Sequence, residues 1–319
     1  MSSMLTMKKF GIFLTGLILT HTATTPAVSA EQDALKVLSE LHDSDPFSRD
    51  MESDGADRIR LADRLRMLTQ KVAASSCALT SRVAIEESYA ELEEATHEID
   101  VILDALRNGN EALHILGPEK SRRTLENLEA LSQEWRATHG AVDSVLANGQ
   151  DVESAHVIDD HNLELLRLAE TLTSDIMGKY THPYELTQAD ALLLEIAGRQ
   201  RMFTQKMAKD ACEIWTGYHA EDGRKDLEQT MVIFDNSLNA LRFGMPAAGI
   251  VPAPTPAIEE DLDALLTTWS VIRGNLDLLL AGEPLSPEQK AEVFHDFNVE
   301  LAKLDQVITA YKNYAERHH

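Results

Sequence analysis

The sequence predicts an all-α protein made of two tandem four-helix bundles. Three observations carry that prediction. The 319 residues are 44% hydrophobic but only 5% aromatic, with Gly and Pro confined to a few clusters, a balance that favours helix over sheet. Apolar residues recur at helical spacing through most of the chain. One helix is written twice: residues 61–77 read LADRLRMLTQKVAASSC and residues 196–212 read IAGRQRMFTQKMAKDAC.

The repeat runs well beyond that helix. At a spacing of 135, Leu92, Asp100, Leu103, Ala105, Leu106, Arg107 and Gly109 fall on Leu227, Asp235, Leu238, Ala240, Leu241, Arg242 and Gly244. One residue is then lost, so that Trp135, Gly140, Asp143 and Leu146 fall on Trp269, Gly274, Asp277 and Leu280. Near the end Asn162, Glu164, Leu165 and Leu168 match Asn298, Glu300, Leu301 and Leu304. Matching that drifts so little over the whole length is the mark of a duplicated module.

The elements follow in order. Residues 1–30 read as a secretory signal peptide: Lys8 and Lys9, an apolar run from Phe10 to Leu19, and small residues before a cut after Ala30. Residues 31–50 are a lead-in segment with a short amphipathic stretch at 33–41. The first module spans 51–183 and the second 184–319, joined near Tyr180 to Tyr184, which includes Pro183. In each module the first helix carries the quoted motif. The second ends at Gly109 or Gly244, where a glycine stops a helix. The third holds Trp135 or Trp269 as a core residue. The fourth holds Asn162 or Asn298. Thr187-Gln188-Ala189-Asp190 and Ser286-Pro287-Glu288-Gln289 resemble capping boxes, and Thr255-Pro256 puts proline at a first helical position. VPAPTP at 251–256 is a loop.

Charge narrows the function classes. The formal net charge is −24, and removal of residues 1–30 takes away two lysines and no acid, giving −26. Such a surface repels nucleic acid and anionic lipid. No stretch after the signal peptide approaches a membrane span, so direct membrane insertion is not expected after cleavage. The two cysteines form no Cys-x-x-Cys pattern, which leaves zinc-ribbon, thioredoxin-like and haem-attachment readings unsupported.

The first helix carries the chemistry. Leu61, Leu65, Leu68, Val72 and Leu79, like Ile196, Phe203, Met207 and Ile214, form a stripe that belongs to a bundle core. Ala62, Arg66, Thr69, Gln70, Ala73 and Cys77 share a second arc, and Ala197, Arg201, Thr204, Gln205, Ala208 and Cys212 repeat it. Arg64, Met67 and Lys71 lie on a third side. Small residues on the second arc permit close helix approach, and its Arg and Gln offer hydrogen bonds that a core does not request. If the two first helices pack in parallel about a pseudo-two-fold axis, Arg66 and Arg201 come level, and an anion between them receives charge-assisted hydrogen bonds from both. Gln70, Gln205, Thr69 and Thr204 would complete its shell. The other reading pairs each arginine with a carboxylate of a neighbouring helix. Cys77 and Cys212 likewise have two readings: a bond between modules, or two separate buried thiols.

The stretch EIAGRQRMFTQKMAKDAC closely resembles the N-terminal sensor module of PilJ, the methyl-accepting transducer of type IV pilus systems, and is more distantly similar to the periplasmic sensor of NarX-type nitrate receptors. The second copy supplies Ala197, Gly198, Arg201, Met202, Gln205 and Ala208 of the pattern; the first supplies Ala62, Arg66, Met67, Gln70 and Ala73, with Asp63 where the pattern has glycine. The resemblance implies a periplasmic four-helix bundle paired through its first helix, within one chain or in a homodimer. It assigns a nitrate- or nitrite-like anion to Arg66 and Arg201. An acid at Asp63 weakens such a site or changes its ligand. No HAMP-like region or signalling domain is evident in this sequence. It is therefore expected to pass information to a membrane receptor or kinase. The alternative is a ligand-free helical module that docks on a chemoreceptor, histidine kinase or pilus component. Glu94/His97, Glu153/His156 and Glu292/His295 show the Glu-x-x-His spacing of di-iron bundles, but none recurs in the other module. No catalytic residue, metal or cofactor is assigned.

Overall fold

The computed structural model describes residues 46–180 and 188–318. The proposed signal peptide, the 33–41 stretch, the Pro183 junction and the Thr187 cap lie outside the described residues. Among those described there are eight α-helices and no strand: α1 Pro46–Thr80, α2 Ile85–Asn108, α3 Arg122–Ala147, α4 Val152–Tyr180, α5 Gln188–Thr216, α6 Ala220–Phe243, α7 Pro256–Leu280 and α8 Pro287–His318. Helices α1–α4 form one bundle and α5–α8 the other, and from Asp50 onward both lie in a single compact unit, Asp50–His319.

Local sequence explains the helix ends. Gly109 and Gly244 cap α2 and α6 at φ 88° and 80°, and a Cβ at either would come within 2.9 Å of backbone atoms of Gly117 or Pro252. Glycine alone tolerates both the left-handed backbone and the close approach. Thr255 caps α7 by accepting from the Ile258 N–H, with Pro256 as its first residue. Before α8, Gln289 N–H donates to Ser286 Oγ at 3.2 Å and Ser286 N–H donates to Gln289 Oε1 at 2.9 Å. That reciprocal pair satisfies two otherwise orphaned donors.

Each bundle has its own core. Leu65, Leu92, Ile102, Leu128 and Ile158 fill the first, and Phe234, Leu238, Leu262, Phe297 and Leu304 the second. The repeated tryptophans are buried core residues whose indole N–H groups are satisfied: Trp135 donates to Asp100 at 2.7 Å, and Trp269 donates to Asp235. The bundles also interlock. Met202 and Leu301 of the second contribute to the first core, while Ala74 of the first contributes to the second. From Leu61 to Thr80 helix α1 has no exposed residue. The third face of the helical wheel is covered as well, with Met67 and Lys71 both buried.

The fourth helix corrects the sequence matching. Helices α4 and α8 begin at Val152 and Pro287, and their buried positions coincide at a spacing of 135: Ile158 with Val293, Asn162 with Phe297, Leu165 with Glu300, Ala169 with Leu304, and Ile176 with Tyr311. Asn162 thus corresponds to Phe297 rather than Asn298, and Glu300 to Leu165 rather than Glu164. Like letters one place apart pointed to the wrong register; helix faces are fixed by burial, and a one-residue shift turns a side chain by about 100°.

Candidate functional site

The site is the seam between α1 and α5. The carboxylate of Asp63 lies against Gly198, where a Cβ would sit 3.1 Å from Oδ2. Fourteen residues further along each helix, Cys77 and Cys212 are joined by a disulfide with Cα atoms 6.2 Å apart. Both links connect residues 135 apart in sequence, so the two helices run parallel and in register over a span of about 21 Å. The small residues of the shared arc allow this approach: Ala62, Ala73, Ala197 and Ala208 are all buried.

Arg66 and Arg201 are buried here, 5% and 7% exposed. They meet on one group, the Asp63 carboxylate. Arg66 Nη2 donates to Asp63 Oδ1 and Arg201 Nη2 donates to Asp63 Oδ2. Arg201 Nη1 also donates to Asp305 Oδ1 of α8 at 2.9 Å. Asp305 in turn lies 3.7 Å from Arg64, which pairs with Glu98. Burial alone would raise the Asp63 pKa. The charges of Arg66 and Arg201 and their hydrogen bonds outweigh it and hold the carboxyl below its usual range. The group is ionised, as a bridge between two guanidinium ions requires.

The other candidate residues divide. Thr69 and Thr204 turn back on their own helices, donating to the carbonyls of Arg66 and Arg201 at 2.9 and 2.7 Å. Neither reaches the bridge. Gln205 donates weakly to Asn298 at 3.4 Å. Gln70 is fully buried with neither side-chain atom hydrogen-bonded, and the Nε atoms of Arg66 and Arg201 are also unpartnered. Nearby, Asn162 donates to the Thr69 carbonyl at 2.9 Å and Thr173 to that of Ala62 at 2.9 Å. These bonds tie α4 to the first helix of its own bundle.

The far end of the seam is asymmetric. On one side Ala78, Val83 and Phe294 pack as a small apolar cluster. On the other, Lys209 pairs with Glu213, with Asp210 at 3.0 Å and with Asp159 of α4 at 4.0 Å. Burial pushes the Glu213 carboxyl up to about 8 against the pull of Lys209. Next to it lies a cleft of about 380 Å³ lined by residues that include Cys77, His156, Asp159, Glu213, Trp215 and Tyr218. His156 stacks on Tyr218 with ring centroids 3.5 Å apart, so this member of a Glu-x-x-His pair serves an aromatic contact. Among the described residues no group of three or more His, Cys, Asp or Glu is arranged around a common metal position.

The model of the PilJ family, described as the N-terminal domain of the type IV pili methyl-accepting chemotaxis transducer, matches residues 50–161 and again residues 186–294. The chain belongs to this family. Its two bundles are two PilJ modules in tandem, and the family is one of helical sensory and signalling domains rather than catalysts. No curated protein matches the sequence. No described helix of either PilJ module is long and apolar enough to cross a membrane.

Within this pair of PilJ modules the structure brings Arg66 and Arg201 together, places Gln70 and Gln205 one turn away, and turns the threonines aside. Two residues of this seam were not assigned a place in it by sequence reasoning. Asp63 stood out only as a departure from the glycine of the pattern; its position three residues before Arg66 was the usable signal, because i and i+3 share a helix face. Asp305 carried no signal, since its role depends on how α8 packs.

Proposed function

We propose that this protein is an exported, periplasmic PilJ-type sensory module that works as a preassembled pseudo-dimer and is read by protein contact with a membrane receptor or kinase. The observation that carries this reading is the bridge itself. The two arginines on which an external anion would depend already share a carboxylate of the same chain, at a buried position. The seam thus has its counter-charge without a guest. That favours the docking reading over binding of a nitrate- or nitrite-like anion between the first helices.

The surface supports a contact role. Phe243, Met245 and Val251, all exposed, cluster with Pro246, Ala247 and Ala248 at the α6–α7 tip. In the first module Asn108, Asn110 and Glu111 occupy the places of Phe243, Met245 and Pro246 on the same backbone: the bridges Asn110–Ile115 and Met245–Ile250 are equivalent. Exposed apolar patches of this kind mark interaction sites. Beside the second tip, Arg242 pairs with Glu259 and Asp263, and Glu260 and Asp261 follow in the same acidic helix start. A fitting partner offers an apolar pocket with a basic rim.

The test has two arms. Thermal unfolding of the purified wild-type protein is followed with nitrate, nitrite, sulfate, phosphate and acetate against chloride at equal ionic strength, and no specific shift is expected. A saturating shift that disappears in Arg66→Ala and Arg201→Ala would return the function to anion sensing. In cells, a photo-crosslinking residue at position 243 is expected to capture a membrane protein, whereas one at position 108 is not. Equal capture, or none, removes the docking role of this tip.

A further inference from the structure

We infer that Asp63 is a tethered ligand: its carboxylate occupies an oxyanion site formed by Arg66 and Arg201, and its removal uncovers that site for a small free carboxylate or another planar oxyanion. The inference rests on the ligand-free reading above and specifies how the seam is regulated. It says that the site's binding capacity is intact and is occupied from within.

Five features support it. The carboxylate receives one guanidinium on each oxygen, from two different helices and two different modules. This is how two arginines divide a bound oxyanion between them. Both guanidinium groups are buried, so without Asp63 they would face each other across low-dielectric space, a costly arrangement unless an anion intervenes. Arg201 has Asp305 as a second acceptor, whereas Arg66 has Asp63 as its only ion-pair partner among the described residues; removal of Asp63 therefore leaves a specific unpaired cation. Finally, there is spare donor capacity at the same place. The Nε atoms of Arg66 and Arg201 and the Nε2 of fully buried Gln70 have no acceptor. Gly198 provides the space: any Cβ there would press on the carboxylate.

The chemistry supplies its own probe. Asp63→Gly deletes a CH2–COO⁻ group, and acetate returns the same heavy atoms. Asp63→Ala retains the Cβ, and formate returns the missing carboxylate. Nitrate is a planar, singly charged analogue of both. No covalent step is involved; the anion binds by charge and hydrogen bonds alone.

The experiment measures thermal unfolding of the wild type, Asp63→Gly, Asp63→Ala, and the triple variant Asp63→Gly/Arg66→Ala/Arg201→Ala. Acetate, formate and nitrate are each titrated against chloride at constant ionic strength. Asp63→Gly and Asp63→Ala are expected to unfold at lower temperature than the wild type in chloride and to recover saturably. A rise on the order of 3 °C is expected at an anion concentration about ten times the dissociation constant. Acetate should best rescue the glycine variant and formate the alanine variant. The wild type and the triple variant should show no saturable response. If Asp63→Gly does not accumulate in folded form, its refolding yield from denaturant is compared in acetate and in chloride, with a higher yield in acetate expected.

Folded Asp63 variants with flat titrations, or a refolding yield indifferent to acetate, would overturn the tethered-ligand inference while leaving the ligand-free function intact. An equal rise in the triple variant is a general salt effect and overturns it too. A saturable response in the wild type instead sinks the ligand-free reading, because the site would then be open with Asp63 in place.

Discussion

The α2–α3 tip of the first module and the α6–α7 tip of the second have one backbone plan and opposite chemistry. In the first, Arg58 is buried, donating to Asp54 at 2.8 Å and to the carbonyls of Leu106 and Gly117 at 3.1 and 2.5 Å, with Glu119 at 3.6 Å. Glu119 also pairs with Lys179, accepts from the Tyr180 hydroxyl at 2.9 Å and accepts from the Ser121 N–H at 2.7 Å. In the second tip, Leu193 takes the place of Arg58. Ala253 takes that of Glu119, since their N–H groups donate to the equivalent carbonyls of Arg242 and Arg107. The carbonyl of Leu241, equivalent to that of Leu106, accepts instead from the Tyr311 hydroxyl at 3.1 Å. A buried ion network and an apolar plug thus close the same loop. The comparison teaches that the fold asks only for a filled core and a satisfied carbonyl. Charge is one way to meet that demand, and a well-packed apolar replacement is often no less stable.

Several substitutions test that lesson, beginning with the largest effect. Arg58→Ala removes a buried cation and leaves Glu119 and two carbonyls without it, and a loss of about 3–5 kcal/mol in urea unfolding is expected. The double change Arg58→Leu/Glu119→Ala transplants the second module's solution, and its cost is expected to fall well below that of the single variant. If the double variant is as damaged as the single one, the two tips are not interchangeable.

The disulfide comes next. It closes a loop between residues 135 apart, so Cys77→Ala/Cys212→Ala should lose about 2–5 kcal/mol by chain entropy, with the seam still joined through Asp63.

Glu300 tests the corrected register of the fourth helix. Neither of its carboxylate oxygens has a hydrogen-bond partner, and burial raises its pKa to about 8. Its pKa in the unfolded chain is near the ordinary 4.5. The folded state therefore keeps a proton that the unfolded state gives up. Stability is unpenalised below about pH 4.5, falls as pH rises toward 8, and levels off above. Glu300→Leu, which installs the residue found at Leu165, should remove this share of the slope, leaving that of Glu213, whose carboxyl is also raised to about 8, and gain on the order of 3 kcal/mol at pH 7. Urea unfolding at pH 5, 7 and 8.5 measures it; a slope as steep in the variant as in the wild type places its origin elsewhere.

Tyr311→Phe is milder, about 1 kcal/mol for the single hydrogen bond to Leu241. Smallest of all, Phe243→Ser should leave stability within about 0.5 kcal/mol, as expected for an exposed side chain, while weakening partner capture.

Much of this architecture was legible in the sequence, and the failures have physical causes. Helices, caps and the duplication could be read because they depend on local chemistry: Gly109 and Gly244 at positive φ, Thr255 and Ser286 as caps. The second arc of the first helix was legible because small and polar residues repeat there at helical spacing. The fourth-helix register was not, because identical letters outvoted the hydrophobic phase, and Glu300 in a core position breaks the pattern that would have corrected it. The sequence marked Asp63 as a departure, but the identity of its partners depends on which helices meet. Arg58 and Glu119 passed unnoticed. They lie 61 residues apart and look like ordinary surface charge until the loop folds over them.

The contact between Asp63 and Gly198 has a consequence for how such a protein could arise. In an assembly of two identical chains, any change in the first helix appears on both sides of the axis at once. An aspartate at this position would then confront a second aspartate, with two negative charges crowded together and no glycine to yield space. Only after the two halves are encoded separately can one acquire the acid while its counterpart stays small. Encoding the halves separately thus makes a lopsided solution reachable.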